Sequence, residues 1–600
     1  MKILEGLGIL FEKKENYKLR FLLFGSLLIP IFELIGIGSI PAFAIVIIDI
    51  DKFLNILSNY INVDYIRTLE YSTVTIFAAA ILALVFLIKN FYLFLILYFQ
   101  GLVLKDLIRS ISLKLFKYYI NLPYIEHISK NPAILIRTIE SDVSLSFNYI
   151  TSSITIIREL VVLISIFILL LITDPYVSTF SLLFLGIPLG LFYLSYRKIL
   201  KKRGIELQEL LGKKFKIINQ SLGLIKETKI LKRESFFFDK FSKINNEVEN
   251  INFFSYLITS TPRLFLEVIA LISVAVVCVV LIFLGRSPDT IIPTISLFAI
   301  SVIRFIPGLN AITASLTTLR FRKPSFDLIV REIKNLKKYG EIKKPEQNQK
   351  RENIEFKNEI KLENISFNYK SNNRKVLKNI NVNIKKGSSV GIIGRSGSGK
   401  STLVDIILGL LDPVEGKISI DNNEITEVKN LWQKKIGYIP QDIYLLDDTI
   451  KNNIIFGVSE DKISNQLLWK SIKIAQLENF VEFSYDKIET EVGERGIKIS
   501  GGEKQRIGIA RAMYNQPEIL IFDEATSALD IDNENKILDE TYQGMKDKTK
   551  IIISHRNNTV KFCDLIYVME EGEIIDSGPY EKIINKYGYL KEENKNEQIK

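Results

Sequence analysis

Six stretches of mostly apolar residues, at about 20–48, 72–100, 152–172, 175–195, 264–285 and 291–312, constrain this chain more than any other feature. A helix that crosses a bilayer needs about 20 such residues. Inside lipid a segment must satisfy its own backbone hydrogen bonds, so runs of this kind fold as helices packed on one another. The runs end near residue 320, and after about residue 345 the text reads as a water-soluble domain. The composition, 48% hydrophobic yet 24% charged, averages these two halves. It excludes a disordered chain, a disulfide-stapled secreted protein and a purely soluble enzyme. Cys278 and Cys563, far apart in sequence, give neither a disulfide framework nor a metal cluster.

Orientation follows from where Lys and Arg fall. The loop after the first span carries Lys52 and Arg67 against Asp49, Asp51, Asp64 and Glu70. The loop after the third carries Asp174 alone, and that after the fifth Arg286 with Asp289. The alternate connections are rich in cations: Lys105, Arg109, Lys114, Lys117, Lys130 and Arg137, then Arg197, Lys198, Lys201, Lys202 and Arg203. Six spans with both termini in the cytoplasm result. The net charge of +11 is therefore mainly an orientation signal, and no nucleic-acid partner is expected. The first span is no cleaved signal, because no small-residue cleavage site follows it. The preceding Met1–Arg20 reads as an amphipathic cytoplasmic elbow. The two cation-rich connections run to roughly 50 and 65 residues and keep helical periodicity, which suits helices projecting beyond the bilayer. Outside, Asp51–Val63 places Phe53, Leu54, Leu57, Tyr60 and Ile61 on one helix face and Asn55, Ser58, Asn59 and Asn62 on the other, as in an interfacial helix.

Charges inside the spans are the informative polar residues, since a charge at mid-bilayer costs ~2.5–3.5 kcal/mol or more. Counted inward from the external side at ~1.5 Å per residue, Lys89 lies ~26 Å deep, Arg304 ~20 Å, Arg158 ~21 Å and Arg263 ~33 Å. All four fall in the inner half or at its edge. Glu33, Glu159 and Glu267 are their candidate partners. Snorkelling or structural pairing explains any one of these cations; four at similar depth favour a lining for an anionic headgroup in the inner leaflet.

The soluble half opens with a Lys-, Asn- and Gln-rich linker. Val390–Ile393 then precedes Gly394-Arg-Ser-Gly397-Ser-Gly399-Lys400-Ser401-Thr402 and the apolar run Leu403–Leu411. Strand, glycine loop and helix stand in the order of a phosphate-binding P-loop: loop N–H groups cradle phosphate oxygens, Lys400 reaches the outer phosphates and Ser401 can ligate Mg²⁺. Leu520–Asp523 is an apolar strand ending in two acids, with Asp523 placed for the metal and Glu524 for the attacking water. His555, one of only two histidines, falls 32 residues after Asp523 at the end of another apolar run.

These motifs together resemble an ABC transporter of the exporter-type half-transporter kind, and the resemblance covers nearly the whole chain. Gln441 in Tyr438-Ile-Pro-Gln441 matches the Q-loop, and Thr490–Gly496 the X-loop. Ser500, Gly501 and Gly502 match the signature, Ser527–Asp530 the D-loop and His555 the switch histidine. Tyr369 matches the aromatic residue that stacks on adenine. Ile499 and Glu503 depart from the usual Leu and Gln beside the signature. The resemblance implies a membrane all-α six-helix domain (1–336), a linker (337–353), an α/β P-loop ABC nucleotide-binding domain (354–585) and a charged tail (586–600). It further implies ATP and Mg²⁺ as cofactors, with Ser401, Gln441 and Asp523 at the metal. Catalysis falls to Glu524, His555 and Gln441 in a homodimer that sandwiches two ATP molecules. Coupling turns near Asn131–Asp142 and Leu222–Lys232 transmit closure to the spans. The setting is a bacterial inner membrane, with the nucleotide domain in the cytoplasm.

Within exporters the chain resembles PglK-like flippases of lipid-linked oligosaccharides, on Ile31–Gly36, the external helix, Pro262-Arg263 and Ile384–Gly387. That implies a polyprenyl-pyrophosphate-linked glycan moved from the inner to the outer leaflet, its pyrophosphate met by Lys89, Arg263 and Arg304. The alternative is a generic exporter of another lipid, a drug or a peptide. An ATP-gated channel or regulator is a third class, disfavoured because gating without turnover does not require Glu524.

Overall fold

The structure, a computed structural model, describes residues 3–59, 62–173, 175–283, 285, 288–342, 355–369, 375–524, 547–554 and 557–587. It divides into two units, Met1–Leu122 with Glu126–Lys344, and Pro123–Ile125 with Pro345–Lys600.

The first unit is all helix. Its long elements are α1 (Lys13–Ile48), α2 (Tyr71–Ile120), α3 (Val143–Thr173), α4 (Pro175–Gly223), α5 (Glu234–Phe283) and α6 (Pro288–Ile342). The 50 residues of α2 rise ~75 Å, more than twice the ~30 Å hydrocarbon thickness, so the expected projection beyond the bilayer is present. Among the described residues five helices are long and apolar enough to cross a membrane. The sixth expected stretch, 175–195, opens α4, where several side chains lie outside the described residues. Leu107, Ile111 and Leu115 of α2 recur every four residues and are buried with Leu22 and Ile29 of α1, Ile150 and Ile166 of α3, and Phe298 and Phe326 of α6.

The N-terminal elbow contains the helix Ile3–Leu10, with Leu10 and Phe11 buried. Lys337 of α6 donates to the Ile9 carbonyl at 2.6 Å, and Ser110 of α2 donates to Glu15 at 2.6 Å. The first connection turns earlier than expected. Asn121–Lys130 makes the turn around the short helix Tyr124–Ser129, and the chain is helical again from Pro132. Asn131 caps the returning helix by accepting the Ala133 N–H at 2.9 Å, with Pro132 at its first position, where no N–H is needed. The second turn, after Gly223, falls where expected, around Ile225–Ile230. The external helix is shorter than predicted, Ile50–Leu57. Asp49 caps its start through the Lys52 N–H at 2.9 Å, and at its end the Ser58 N–H donates to the Leu54 carbonyl and the Ser58 hydroxyl to the Asn55 carbonyl, both at 2.8 Å. Leu54 is buried and Asn55, Ser58 and Asn59 are exposed, as the pattern required, while Tyr60 and Ile61 lie outside the described residues.

The second unit holds two sheets. One is antiparallel in the order β2-β1-β4-β5: β1 (Glu359–Phe367), β2 (Leu377–Lys385), β4 (Glu415–Ile420) and β5 (Asn423–Glu424). The other runs β10-β9-β3-β8-β7-β6: β3 (Ser389–Gly394), β6 (Ile436–Ile439), β7 (Ile519–Asp523), β8 (Thr549–Ile553), β9 (Leu565–Glu570) and β10 (Glu573–Gly578). Its pairs from β9 through β6 are all parallel. Every residue of β3, β7 and β8 is buried, which is why these strands read as unbroken apolar runs. Parallel strands deliver their carboxyl ends to one edge, where ligand sites of open α/β sheets form.

Candidate functional site

The four strands β3, β8, β7 and β6 are successive neighbours, and the predicted nucleotide residues follow their carboxyl ends. From β3 the chain enters the glycine loop and then α7 (Lys400–Ile407). A Cβ at Gly394 would lie 2.2 Å from the Met569 carbonyl of β9, so no larger residue fits the exit of the strand. Gly397 and Gly399 take φ of +80° and +102°, values that only glycine adopts without strain. The loop folds around its own lysine: Lys400 Nζ donates to the Gly394 carbonyl at 2.8 Å and the Arg395 carbonyl at 3.1 Å. Burial pushes the Lys400 ammonium below its ordinary range, opposed by Glu524 and Asp523. Ser398 Oγ is buried without a hydrogen-bond partner. Buried hydroxyls are rarely left so, and an acceptor such as a phosphate oxygen satisfies it. The Ser401 side is exposed, and the buried Thr402 lies with its Oγ1 3.1 Å from the hydroxyl of Tyr369.

β7 ends at Asp523, and Glu524 follows with φ +50°, its N–H bound to the Ile553 carbonyl of β8 at 2.9 Å. Both acids are held from β6 and the segment that leaves it. Tyr438 donates to Asp523 Oδ2 at 3.2 Å, and Gln441 Nε2 donates to Glu524 Oε2 at 2.7 Å. Burial raises the Asp523 carboxyl, the Tyr438 bond and Lys400 oppose this, and Glu524 adds to it. Asp405, on α7, is pushed up to about 6 by burial and by the charge of Asp523. One strand-end carboxylate, the exposed Ser401 hydroxyl and the oxygen of the Gln441 amide make a donor set for a hard cation. Mg²⁺ commonly takes one or two protein ligands of this kind besides phosphates and water. Among the described residues no cluster of three His, Cys, Asp or Glu competes for that part.

Ser500 caps α8 (Gly501–Tyr514). Its hydroxyl accepts the Glu503 N–H at 3.3 Å, while Glu503 accepts the Ser500 N–H at 2.7 Å. The departure Glu503 thus closes a capping box with a charge suited to a helix N-terminus. Ser500 and Gly501 are exposed. His555 and Ser527–Asp530 lie outside the described residues. Three contributors were missed from sequence. Tyr438 and Asp405 look like strand and helix residues until β6 and α7 are set against Asp523. Arg511 of α8 donates to the Tyr444 carbonyl at 2.9 Å and the Asn453 carbonyl at 2.8 Å, tying the signature helix to the chain beyond Gln441. The only signal available for Tyr438 was its place three residues before Gln441.

In the membrane unit three of the predicted cations converge. Lys89 of α2 lies 2.8 Å from Glu33 of α1, and Arg304 of α6 lies 3.1 Å from the same carboxylate and 3.6 Å from Glu159 of α3. Arg158 pairs with Glu159 at 3.0 Å. Arg263 is placed differently: it pairs with Glu267 one turn along its own helix at 2.9 Å, and its side chain is 66% exposed.

The class this fold and site define is borne out by comparison. The ABC transporter family model matches residues 377–527 and the ABC transporter transmembrane region matches residues 27–304. Between them they take in more than half of the chain, which belongs to the ABC transporters as an exporter half-transporter. A Staphylococcus aureus (strain NCTC 8325 / PS 47) protein named for multidrug export, an ATP-binding/permease protein, is 40% identical over 230 residues, 38% of this chain and 39% of its own. The leukotoxin translocation ATP-binding protein LktB of a Pasteurella haemolytica-like species is 40% identical over 241 residues, 39% of this chain and 34% of its own. The chain thus spans under two fifths of the length of these curated relatives. The solved structure of a bacterial Atm1-family ABC exporter with ATP bound shares the fold, with a TM-score of 0.76 and 22% identity over 96% of this chain and 97% of that one.

Proposed function

We propose that the chain is one half of an ATP-hydrolysing exporter, working as a homodimer in a bacterial inner membrane with its nucleotide domain in the cytoplasm. The observation that carries this reading is the convergence of the glycine loop, Asp523, Glu524 and Gln441 at the carboxyl ends of adjacent strands. Tyr369 stacks on adenine, the loop from Gly394 to Gly399 and Lys400 hold the phosphates, and Ser401, Gln441 and Asp523 hold Mg²⁺. The metal, when bound, neutralises charge on the phosphates. Glu524 orients water and takes its proton, and His555 meets the terminal phosphate. A second copy presents its Ser500, Gly501 and Gly502 to complete each site. ATP drives the spans through its tighter binding to the closed state.

For substrate the reading is a polyprenyl-pyrophosphate-linked oligosaccharide flipped from the inner to the outer leaflet. What supports it is the meeting of Lys89, Arg158 and Arg304 within apolar spans, where cations without an anionic task are costly. The names of the relatives favour the second reading, a generic exporter of drugs, peptides or other lipids. Proteoliposomes carrying a fluorescent lipid-linked oligosaccharide separate the two. ATP-dependent flipping by the wild type, lost in Glu524→Gln, supports the flippase. ATPase stimulation by hydrophobic drugs but not by the glycolipid establishes the generic exporter instead.

A further inference from the structure

Among the described residues five charged side chains meet inside the spans, and their count does not balance. Glu33 and Glu159 face Lys89, Arg158 and Arg304, leaving a surplus of one positive charge. The carboxylates form the inner part of the cluster, 5% and 6% exposed, whereas the cations are 14%, 19% and 23% exposed and form its open side. Arg304 engages both carboxylates through Nη2, and its buried Nε–H has no hydrogen-bond partner. A guanidinium presents its donors in a planar fork that suits two oxygens at once, so the Nε edge of Arg304 stays unfilled; Glu33 Oε2 and Glu159 Oε2, also buried and without a hydrogen bond, do not bond to it. The surplus charge belongs to the cluster as a whole, and the unfilled donor on its open side to Arg304.

Glu33 is also the joint of the assembly. It stands on α1 and takes one partner from α2 and one from α6. Gly36, one turn further along α1, leaves the room in which the Lys89 stem lies, since a Cβ there would come within 3.3 Å of Lys89 Cδ. Any anion that reaches Arg304 and Lys89 from the open side must compete with Glu33 for them.

We propose that Glu33 is a built-in stand-in for the anion of the transported ligand. It occupies Lys89 and Arg304 in the resting protein, and a diphosphate-class anion displaces it from Arg304, releasing α6 from the α1–α2 pair. This rests on the reading that an anionic ligand is carried. Glu159 backs the same guanidinium and plays the lesser part of the same role.

The test uses the full-length protein in nanodiscs and three probes: geranylgeranyl diphosphate, geranylgeraniol as the uncharged control, and inorganic pyrophosphate. Glu33→Gln removes the internal competitor and is expected to bind geranylgeranyl diphosphate about tenfold more tightly than the wild type, equivalent to ~1.4 kcal/mol, with geranylgeraniol unchanged. The same gain confined to the prenyl diphosphate marks a lipid headgroup as the ligand; an equal gain for inorganic pyrophosphate marks a free anion. Should Glu33→Gln not be recovered folded, Glu159→Gln carries the same direction through Arg304. Unchanged or weaker diphosphate binding in these variants, with binding abolished in Arg304→Leu, overturns the stand-in role and leaves the anion site standing. Unchanged binding in both Arg304→Leu and Lys89→Leu removes the anion site and the stand-in with it.

Discussion

Glu524→Gln separates chemistry from structure at the nucleotide site because the surroundings treat the two side chains almost alike. The backbone there has φ +50°, a strained conformation that glutamine adopts at the same cost as glutamate. The Gln441 Nε2–H, 2.7 Å from Glu524 Oε2, still finds an acceptor in the amide oxygen of the variant. Exchanging a charged for a neutral acceptor loses ~1 kcal/mol or so of that bond. Removing the charge also removes one influence that raises the neighbouring Asp523 carboxyl, so Asp523 ionises more readily and its metal role is not impaired. Against this small structural effect stands the general base, whose removal costs about 100- to 10,000-fold in rate, or ~2.7–5.5 kcal/mol of barrier. The rate effect therefore dominates. In nanodiscs the variant is expected to bind a fluorescent ATP analogue as well as or better than the wild type while phosphate release falls at least about 100-fold. Hydrolysis within a few-fold of wild type, or loss of nucleotide binding, would refute the division of labour between Asp523 and Glu524.

Gly394→Ala places a Cβ against the backbone carbonyl of Met569 at 2.2 Å, a contact no rotamer relieves, and should abolish ATP binding, as read by photo-crosslinking of an ATP analogue. On the proposed flippase reading, Lys89→Leu and Arg304→Leu should each reduce glycolipid flipping at least about tenfold with basal ATPase retained, because each removes a cation proposed to meet the diphosphate, whereas Arg263→Leu, which breaks only an exposed pair of ~0.3–0.5 kcal/mol, should change it less than threefold; equal effects would deny the distinction. Asp405 gives a pH signature. Its folded value of about 6 exceeds the unfolded ~3.9, so the folded state holds the extra proton and stability falls as pH rises between those values. Asp405→Asn should remove that slope and add on the order of 1 kcal/mol at neutral pH, after discounting for partial exposure. Both tryptophans, Trp432 and Trp469, lie in the nucleotide domain, so intrinsic fluorescence of the full chain in urea reads its unfolding.

Much of both sites was written in one dimension. The glycine loop, the strand ending in Asp523 and Glu524, and Gln441 are local patterns whose chemistry is fixed by spacing. Fully buried parallel strands then force them together, since β3, β8, β7 and β6 have one order and a common exit edge. Depth in the membrane was equally legible, because rise per residue along a helix is constant: Lys89, Arg158 and Arg304 were counted to similar levels, and the structure joins them. Rotation about the helix axis was not legible. It decides that Arg304 meets Glu33 while Arg263 turns to Glu267 on its own helix, and it is set by packing across α1, α2, α3 and α6, not by local sequence. Tyr438 escaped for the same reason: only the parallel register, with Ile439 opposite Phe522, sets its hydroxyl against Asp523. The first turn was misplaced because the helical pattern resumes at Pro132, so residues 132–142 belong to the returning helix.

The charged groups proposed here to meet ligands share one property: each is already held, at least in part, by another part of the chain. Lys400 rests on the carbonyls of its own loop, Glu524 takes the amide of Gln441, and Arg304 and Lys89 rest on Glu33. A buried charge left unpaired would cost several kcal/mol, so internal partners are what allow these groups to stand ready inside a stable fold. A ligand arriving at such a site exchanges one bond for another, and its affinity is the difference between the two. Release is then as accessible as capture, which a cycling machine requires of its substrate and nucleotide alike. It also reverses the ordinary expectation of mutagenesis. Deleting Glu33, itself a buried charged residue in contact with the site, should tighten the binding of an anion, because what is lost is the competitor and not the grip.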